Sequence, residues 1–114
     1  KKPVFTILGN HDNHNNFQTV FGTKLPAVEK ITLSETWLMI AIDSTAINKE
    51  SGHITRQQLL SLRKLIESNK NKSLLICLHH QPIKMGFWID EVGLENANQF
   101  IASIANRYNI RAAL

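Results

Sequence analysis

Apolar residues fall into short blocks along this chain, each closed by a glycine, a proline or a polar cluster. The first block, Val4-Phe5-Thr6-Ile7-Leu8, reads as a short buried strand ending at Gly9. Residues 13–21 read as a helix, with Phe17, Val20 and Phe21 at i, i+3 and i+4 and Gly22 placed to end it. A loop around Pro26 follows, then two strands over residues 30–33 and 35–43, joined tightly at Ser34. Trp37-Leu38-Met39-Ile40-Ala41-Ile42 is apolar without alternation, the pattern of a strand covered on both faces. The next helix is signposted by Thr55 as N-cap, Gln58 completing a capping box, and Ile54 and Leu59 at the hydrophobic-staple positions. Leu59, Leu62, Leu65 and Ile66 form its inward stripe, while Arg63, Lys64 and Glu67 face water. A strand over residues 73–78 comes next, followed by a glycine-flanked stretch, 83–93, with no regular periodicity. Leu94, Ala97, Ile101, Ile104, Ala105 and Tyr108 are spaced for a second amphipathic helix, and residues 110–114 begin one more apolar run. Strand–helix–strand alternation of this kind predicts an α/β sheet with right-handed crossovers.

Composition narrows the class. A chain of 114 residues allows one domain at most, and 43% hydrophobic with 19% charged residues suits a globular fold. No apolar run approaches the roughly 20 residues needed to span a bilayer, and the one behind Lys1-Lys2 is too short for a signal peptide. The single Cys77 cannot form an internal disulfide; a reduced, cytoplasmic setting is expected, with Cys77 as a small core residue. The formal charge of +4 invites a nucleic-acid reading. Against it, Lys64, Lys70 and Lys72 lie on the polar face and exit of a helix without interleaved aromatic residues, so no specific nucleic-acid partner is expected.

Two polar clusters carry the chemistry. Gly9-Asn10-His11-Asp12 follows the first strand, where a glycine lets the backbone turn and open α/β sheets place active sites. The same residues also suit a plain turn. His79-His80-Gln81-Pro82 ends a second apolar strand, so one site assembled from two loops is the economical reading. A helix starting near His11 and His14 would favour an anionic phosphate through its free amides and partial positive charge. His53, just ahead of the helix cap, reads as a loop histidine.

The GNHD and HHQP pair resembles the calcineurin-like metallophosphoesterase superfamily. Ile42-Asp43-Ser44 and Gly86-Phe87-Trp88-Ile89-Asp90 resemble its class III cyclic nucleotide phosphodiesterase branch, and the likeness runs over residues 4–114. It implies a sandwich of two sheets flanked by helices, of which residues 1–114 would be a single partial domain, roughly the second half. It also implies two divalent metal ions (Fe, Mn, Zn or similar), with Asn10 and His79 as ligands of one of them. His11 would contact the phosphate of a cyclic nucleotide and protonate the leaving alkoxide, and Asp12 would hold its ring in one tautomer. His14 would touch substrate phosphate. His80 would either support a ligand or bond a backbone carbonyl, with Trp88 and Asp90 on a lid or contact loop that could stack on a nucleobase. Asp43 is not a ligand in that pattern and is expected to bond the following loop with Ser44 and Thr45.

The departures matter as much. The superfamily also uses an Asp-x-His and a Gly-Asp motif ahead of GNHD and a Gly-His-x-His after the last strand, and none is in this sequence. Both ends read as cut, so the isolated chain is expected to be inactive although its parent is an active phosphodiesterase. Uncovered apolar surface and strand edges predict self-association, a homodimer or larger. The competing readings are a phosphodiesterase for another diester, such as a glycerophosphodiester or a nucleic acid, and a non-catalytic module that keeps the fold.

Overall fold

The computed structural model describes residues 2–114. Their elements, in chain order, are α1 (His14–Phe21), β1 (Val28–Thr32), β2 (Trp37–Ile42), α2 (Arg56–Ser68), β3 (Ser73–Cys77), a 3₁₀ turn (Trp88–Val92), α3 (Ala97–Ile104) and β4 (Ile110–Ala113). The four strands form one mixed sheet in the order β1-β2-β3-β4. β1 and β2 are an antiparallel hairpin, and β2, β3 and β4 run parallel. Among the described residues there is one sheet, so the expected α/β architecture is present and a second sheet of a sandwich is not among them.

One face of that sheet carries the core. Leu38, Ile40 and Ile42 of β2 alternate inward with Leu74 and Ile76 of β3, and Leu59, Leu62 and Ile66 of α2 close over them with Phe100 of α3. α2 starts where its sequence says. Thr55 accepts the Gln58 amide at 3.2 Å while the Gln58 side chain accepts the Thr55 amide at 2.8 Å. Gln58 then reaches beyond its own helix, donating to the carbonyls of Ala27 (3.1 Å) and Asp43 (2.6 Å) and so tying α2 to both ends of the hairpin. The other face is thinner: Ile31 and Ala41 are buried there, whereas Met39, Leu75 and Cys77 are half-buried. Burial pushes the Cys77 thiol up, so it stays a thiol.

Three sequence expectations are corrected. Residues 4–8 are not a strand: no neighbour pairs with them among the described residues, Val4 is 83% exposed, and Leu8 alone is anchored at 1%. An apolar run becomes a strand only where a partner supplies its hydrogen bonds. The face of α3 matches the expected one only in part: Leu94 is buried and Ala97 and Ile104 pack against the core. Phe100 is fully buried and Ser103 nearly so, while Ile101 and Tyr108 are exposed, because the largest side chain sets the phase of a short helix. Residues 88–92 are a 3₁₀ turn rather than irregular chain. No helix among the described residues is long and apolar enough to cross a membrane.

Candidate active site

The chain leaving β3 keeps the strand's alternation: Leu78 is buried, His79 exposed, His80 buried. The two imidazoles meet edge to face, with centroids 4.9 Å apart. His79 Nε2 lies 3.2 Å from Asn10 Oδ1, a contact between residues 69 positions apart. Gly9 makes this approach possible. A Cβ there would stand 3.1–3.3 Å from three atoms of the His79 ring, pressing it back by a few tenths of an ångström, and the Gly9 backbone is not left-handed, so what glycine supplies here is proximity rather than the turn.

Asp12 closes that turn on itself. Its amide donates to the Gly9 carbonyl at 3.0 Å, and its carboxylate accepts the Gly9 amide at 2.8 Å. The expected Asp12–His11 bond is therefore replaced by a local side-chain-to-backbone bond, the commoner geometry for an aspartate three residues past an open amide. The His11 ring has no hydrogen bond among the described residues. Next, Asn13 caps α1, its side chain accepting the amides of Asn15 and Asn16 at 2.9 and 3.2 Å. Those amides, expected to be open to an anion, are occupied. His14, the first residue of α1, donates Nε2–H to Asp43 Oδ2 at 2.7 Å across 29 residues of sequence. The other Asp43 oxygen accepts the amide and hydroxyl of Thr45 at 3.0 and 2.7 Å, the expected loop bonding.

His80, 2% exposed, organises the opposite wall. Its Nδ1 is 2.8 Å from Ser44 Oγ and its Nε2 is 3.0 Å from the Glu50 carbonyl. A carbonyl only accepts, so Nε2 carries the proton. Ser44 Oγ accepts the His80 amide at 3.3 Å and gives its own proton to Nδ1. Both ring nitrogens are engaged by protein, so of the two roles expected for His80, the carbonyl-bonded one is what the structure contains. Burial lowers its pKa from the ordinary histidine value and proximity to His79 lowers it further; the Glu50 carbonyl and the Asp43 charge act in the opposite sense. Gly52 packs flat against this ring. The loop is tied at its far side by Glu95, which accepts from Lys49 Nζ (2.8 Å) and Ser51 Oγ (2.7 Å). Those bonds, that from Lys49 first, hold the Glu95 carboxyl below the usual carboxylate range.

Between the walls is a cleft of about 550 Å³, lined by residues 10–15 on one side and 45–50 on the other. Asn10, His11, Asp12 and His14 line it. His79, His80, Trp88 and Asp90 do not. Trp88 is 76% exposed on the 3₁₀ turn, and Asp90 accepts the amides of Met85 and Gly86 at 2.7 and 2.9 Å, which makes it a builder of its own loop. Sequence reading missed Ser44, Gly52 and the His14–Asp43 pair. The only signal was a glycine in Ser51-Gly52-His53, which marks close backbone approach as readily as a turn.

Asn10 and His79 are hard and borderline donors suited to a divalent transition ion. Two donors each about 2.1 Å from one ion and at adjacent coordination positions stand roughly 3.0–3.4 Å apart, and the observed separation is 3.2 Å. Among the described residues, no group of three His, Cys, Asp or Glu side chains is gathered to hold an ion. Asn10 and His79 are thus a pair of donors at a spacing that fits one ion.

No protein-family model matches this sequence. Over 102 residues the chain is 32% identical to the 3′,5′-cyclic adenosine monophosphate phosphodiesterase CpdA of Vibrio vulnificus, covering 88% of the chain and 37% of that protein. Proteins named probable cyclic nucleotide phosphodiesterase are 33% identical in both Colwellia psychrerythraea and Vesicomyosocius okutanii, over 96% and 97% of the chain and 41% and 47% of their own lengths. The chain spans less than half the length of these relatives. Nearly every residue of it, both polar clusters included, falls within the aligned part, so the chain is similar over its length to a part of proteins named as cyclic nucleotide phosphodiesterases.

Proposed function

We propose that this chain is part of a metal-dependent phosphodiesterase of the calcineurin-like type, acting on cyclic nucleotides such as 3′,5′-cyclic AMP. The observation that carries the reading is the convergence of Asn10 Oδ1 and His79 Nε2, from two loops 69 residues apart, with Asn10 also lining a polar cleft. When bound, a pair of divalent ions polarises the phosphoryl oxygens and activates the attacking water. Asn10 and His79 would hold one of those ions, for which His79 must give up the Nε2–H it now donates to Asn10 Oδ1. His11 is exposed on the cleft and unengaged by protein, so it is free to contact the phosphate. As water adds to phosphorus and the bond to the 3′ oxygen breaks, His11 gives that oxygen its proton. Asp12 keeps the 9–12 turn closed, which fixes where Asn10 and His11 project.

Manganese tests the site directly. Substoichiometric Mn²⁺ added to the ¹⁵N-labelled chain should broaden signals of Asn10 and His79 before those of His53 and Glu95, and His79→Ala should remove the effect. Broadening centred elsewhere would overturn the assignment. The pure chain, offering two donors, should not turn over bis(p-nitrophenyl) phosphate with Mn²⁺; measurable turnover would refute that part. The half-buried second face of the sheet, with Met39, Leu75 and Cys77, supports self-association. Sedimentation should therefore give a concentration-dependent mass, and a monomer at every concentration would count against it.

A further inference from the structure

We infer that Asp43 is a positioning residue for His14, and that the pair presents His14 Nδ1 to an anionic phosphoryl oxygen in the cleft. The identity of that ligand rests on the phosphodiesterase reading; the geometry of the pair does not.

Asp43 is held at every handle. Its amide donates to the Ala27 carbonyl at 3.0 Å, and its own carbonyl accepts Gln58 Nε2 at 2.6 Å. One carboxylate oxygen takes both donors of Thr45, at 3.0 and 2.7 Å. The remaining oxygen faces His14 Nε2 at 2.7 Å, with the Asp43 side chain 14% exposed. A carboxylate at neutral pH only accepts, so Nε2 carries the proton and the ring is fixed in orientation. His14 itself is 47% exposed and lines the cleft, and its Nδ1 has no partner among the described residues.

The rest of the cleft gives an anion few alternatives. The Asn15 and Asn16 amides are engaged by Asn13, and Lys49 Nζ is engaged by Glu95. His11 and His14 supply the imidazoles of the cleft, and His14 alone of the two is oriented by a carboxylate. Protonated at Nδ1, it donates a charge-assisted hydrogen bond to a phosphoryl oxygen.

The test follows from the donors around Asp43. In Asp43→Asn the amide oxygen stays on the two Thr45 donors, which turns the NH₂ toward His14 Nε2. A donor facing a donor forces the ring into its other tautomer, the error that the same change makes in catalytic triads. Long-range ¹H–¹⁵N spectra of the histidine-labelled chain at alkaline pH, where imidazole is neutral, should report Nε2–H for His14 in the wild type and Nδ1–H in Asp43→Asn. Inorganic phosphate titrated into the wild type at mildly acidic pH should shift His14 Nδ1 several-fold more than His14 Nε2 or either nitrogen of His53. Wild-type Nδ1–H, an unchanged tautomer in a folded Asp43→Asn chain, or a His14 Nδ1 unmoved by phosphate would each overturn the inference. Should the variant not fold, the two wild-type measurements decide it. Failure of the Mn²⁺ assignment with these results intact would sink the phosphodiesterase reading and leave the pair standing.

Discussion

Replacing Gly52 by alanine should unsettle the wall of the cleft through one methyl group. A Cβ at this position would stand 2.4 Å from Cγ and Nδ1 of His80 and 2.7 Å from its Cβ, inside any van der Waals contact. Neither partner can step aside cheaply. The ring is held by Ser44 and Glu50, while Gly52 donates to the Gly93 carbonyl at 3.1 Å and accepts from Glu95 at 2.8 Å. Overpacking of a closed site costs about 1–3 kcal/mol, and each ring hydrogen bond lost adds about 1 kcal/mol. Gly52 is not left-handed, so alanine pays no backbone penalty and gains about 0.5 kcal/mol from a less flexible unfolded chain. The net expectation is a loss of about 2–4 kcal/mol, read as a lower urea midpoint with an unchanged slope. His80→Ala empties the space the methyl needs, so in that background Gly52→Ala should cost little, leaving a coupling of at least about 1.5 kcal/mol in the double-mutant cycle. Equal costs in the two backgrounds would refute the steric argument, as would a single-mutant cost below about 0.5 kcal/mol.

Three more outcomes are expected. Thr55→Ala removes one acceptor of the capping box and should cost about 1 kcal/mol, whereas Gln58→Ala also frees the Ala27 and Asp43 carbonyls and should cost clearly more in the same denaturation series. The pKa of His80 is lower folded than unfolded, so below the ordinary value of 6.5 the unfolded chain binds a proton that the native one refuses. Stability of the metal-free chain should therefore fall as pH drops through that value, and His80→Gln should flatten the slope. Trp88→Ala, at a residue 76% exposed, should leave the urea midpoint within about 0.5 kcal/mol of wild type; a larger loss would mean the 3₁₀ turn is packed in a way its exposure contradicts.

What the sequence made legible was whatever short-range chemistry decides. Thr55 and Gln58 announce a helix start because both halves of the box lie within four residues, and Gly22 announces the end of α1 as locally, whereas Asn13, counted within that helix, is its cap. Asn10 and His79 were legible as a pair only through two motifs matching one family, since nothing local relates positions so distant. The His14–Asp43 bond carried no signal at all: a histidine opening a helix and an aspartate ending a strand are each ordinary alone. Residues 4–8 misled because a strand is a relationship, and the apolar pattern states only one side of it. The stripe of α3 was read in part: Leu94, Ala97 and Ile104 meet the core as their spacing says, but Ile101 and Tyr108 were weighed ahead of Phe100, although the bulkiest side chain had the most to gain from the interior.

The tandem imidazoles after β3 carry a further consequence. They are one chemical species at consecutive positions, yet one turns its nitrogens outward and the other has both committed inside the wall. What separates them is parity alone, the count of residues from Ser73. Deleting or inserting a single residue in that strand would leave the dipeptide intact and exchange its members, setting the wrong ring against Asn10 and stranding the other beside Ser44. Both histidines would be kept while their roles are exchanged, so length, in this strand, is as strictly constrained as identity.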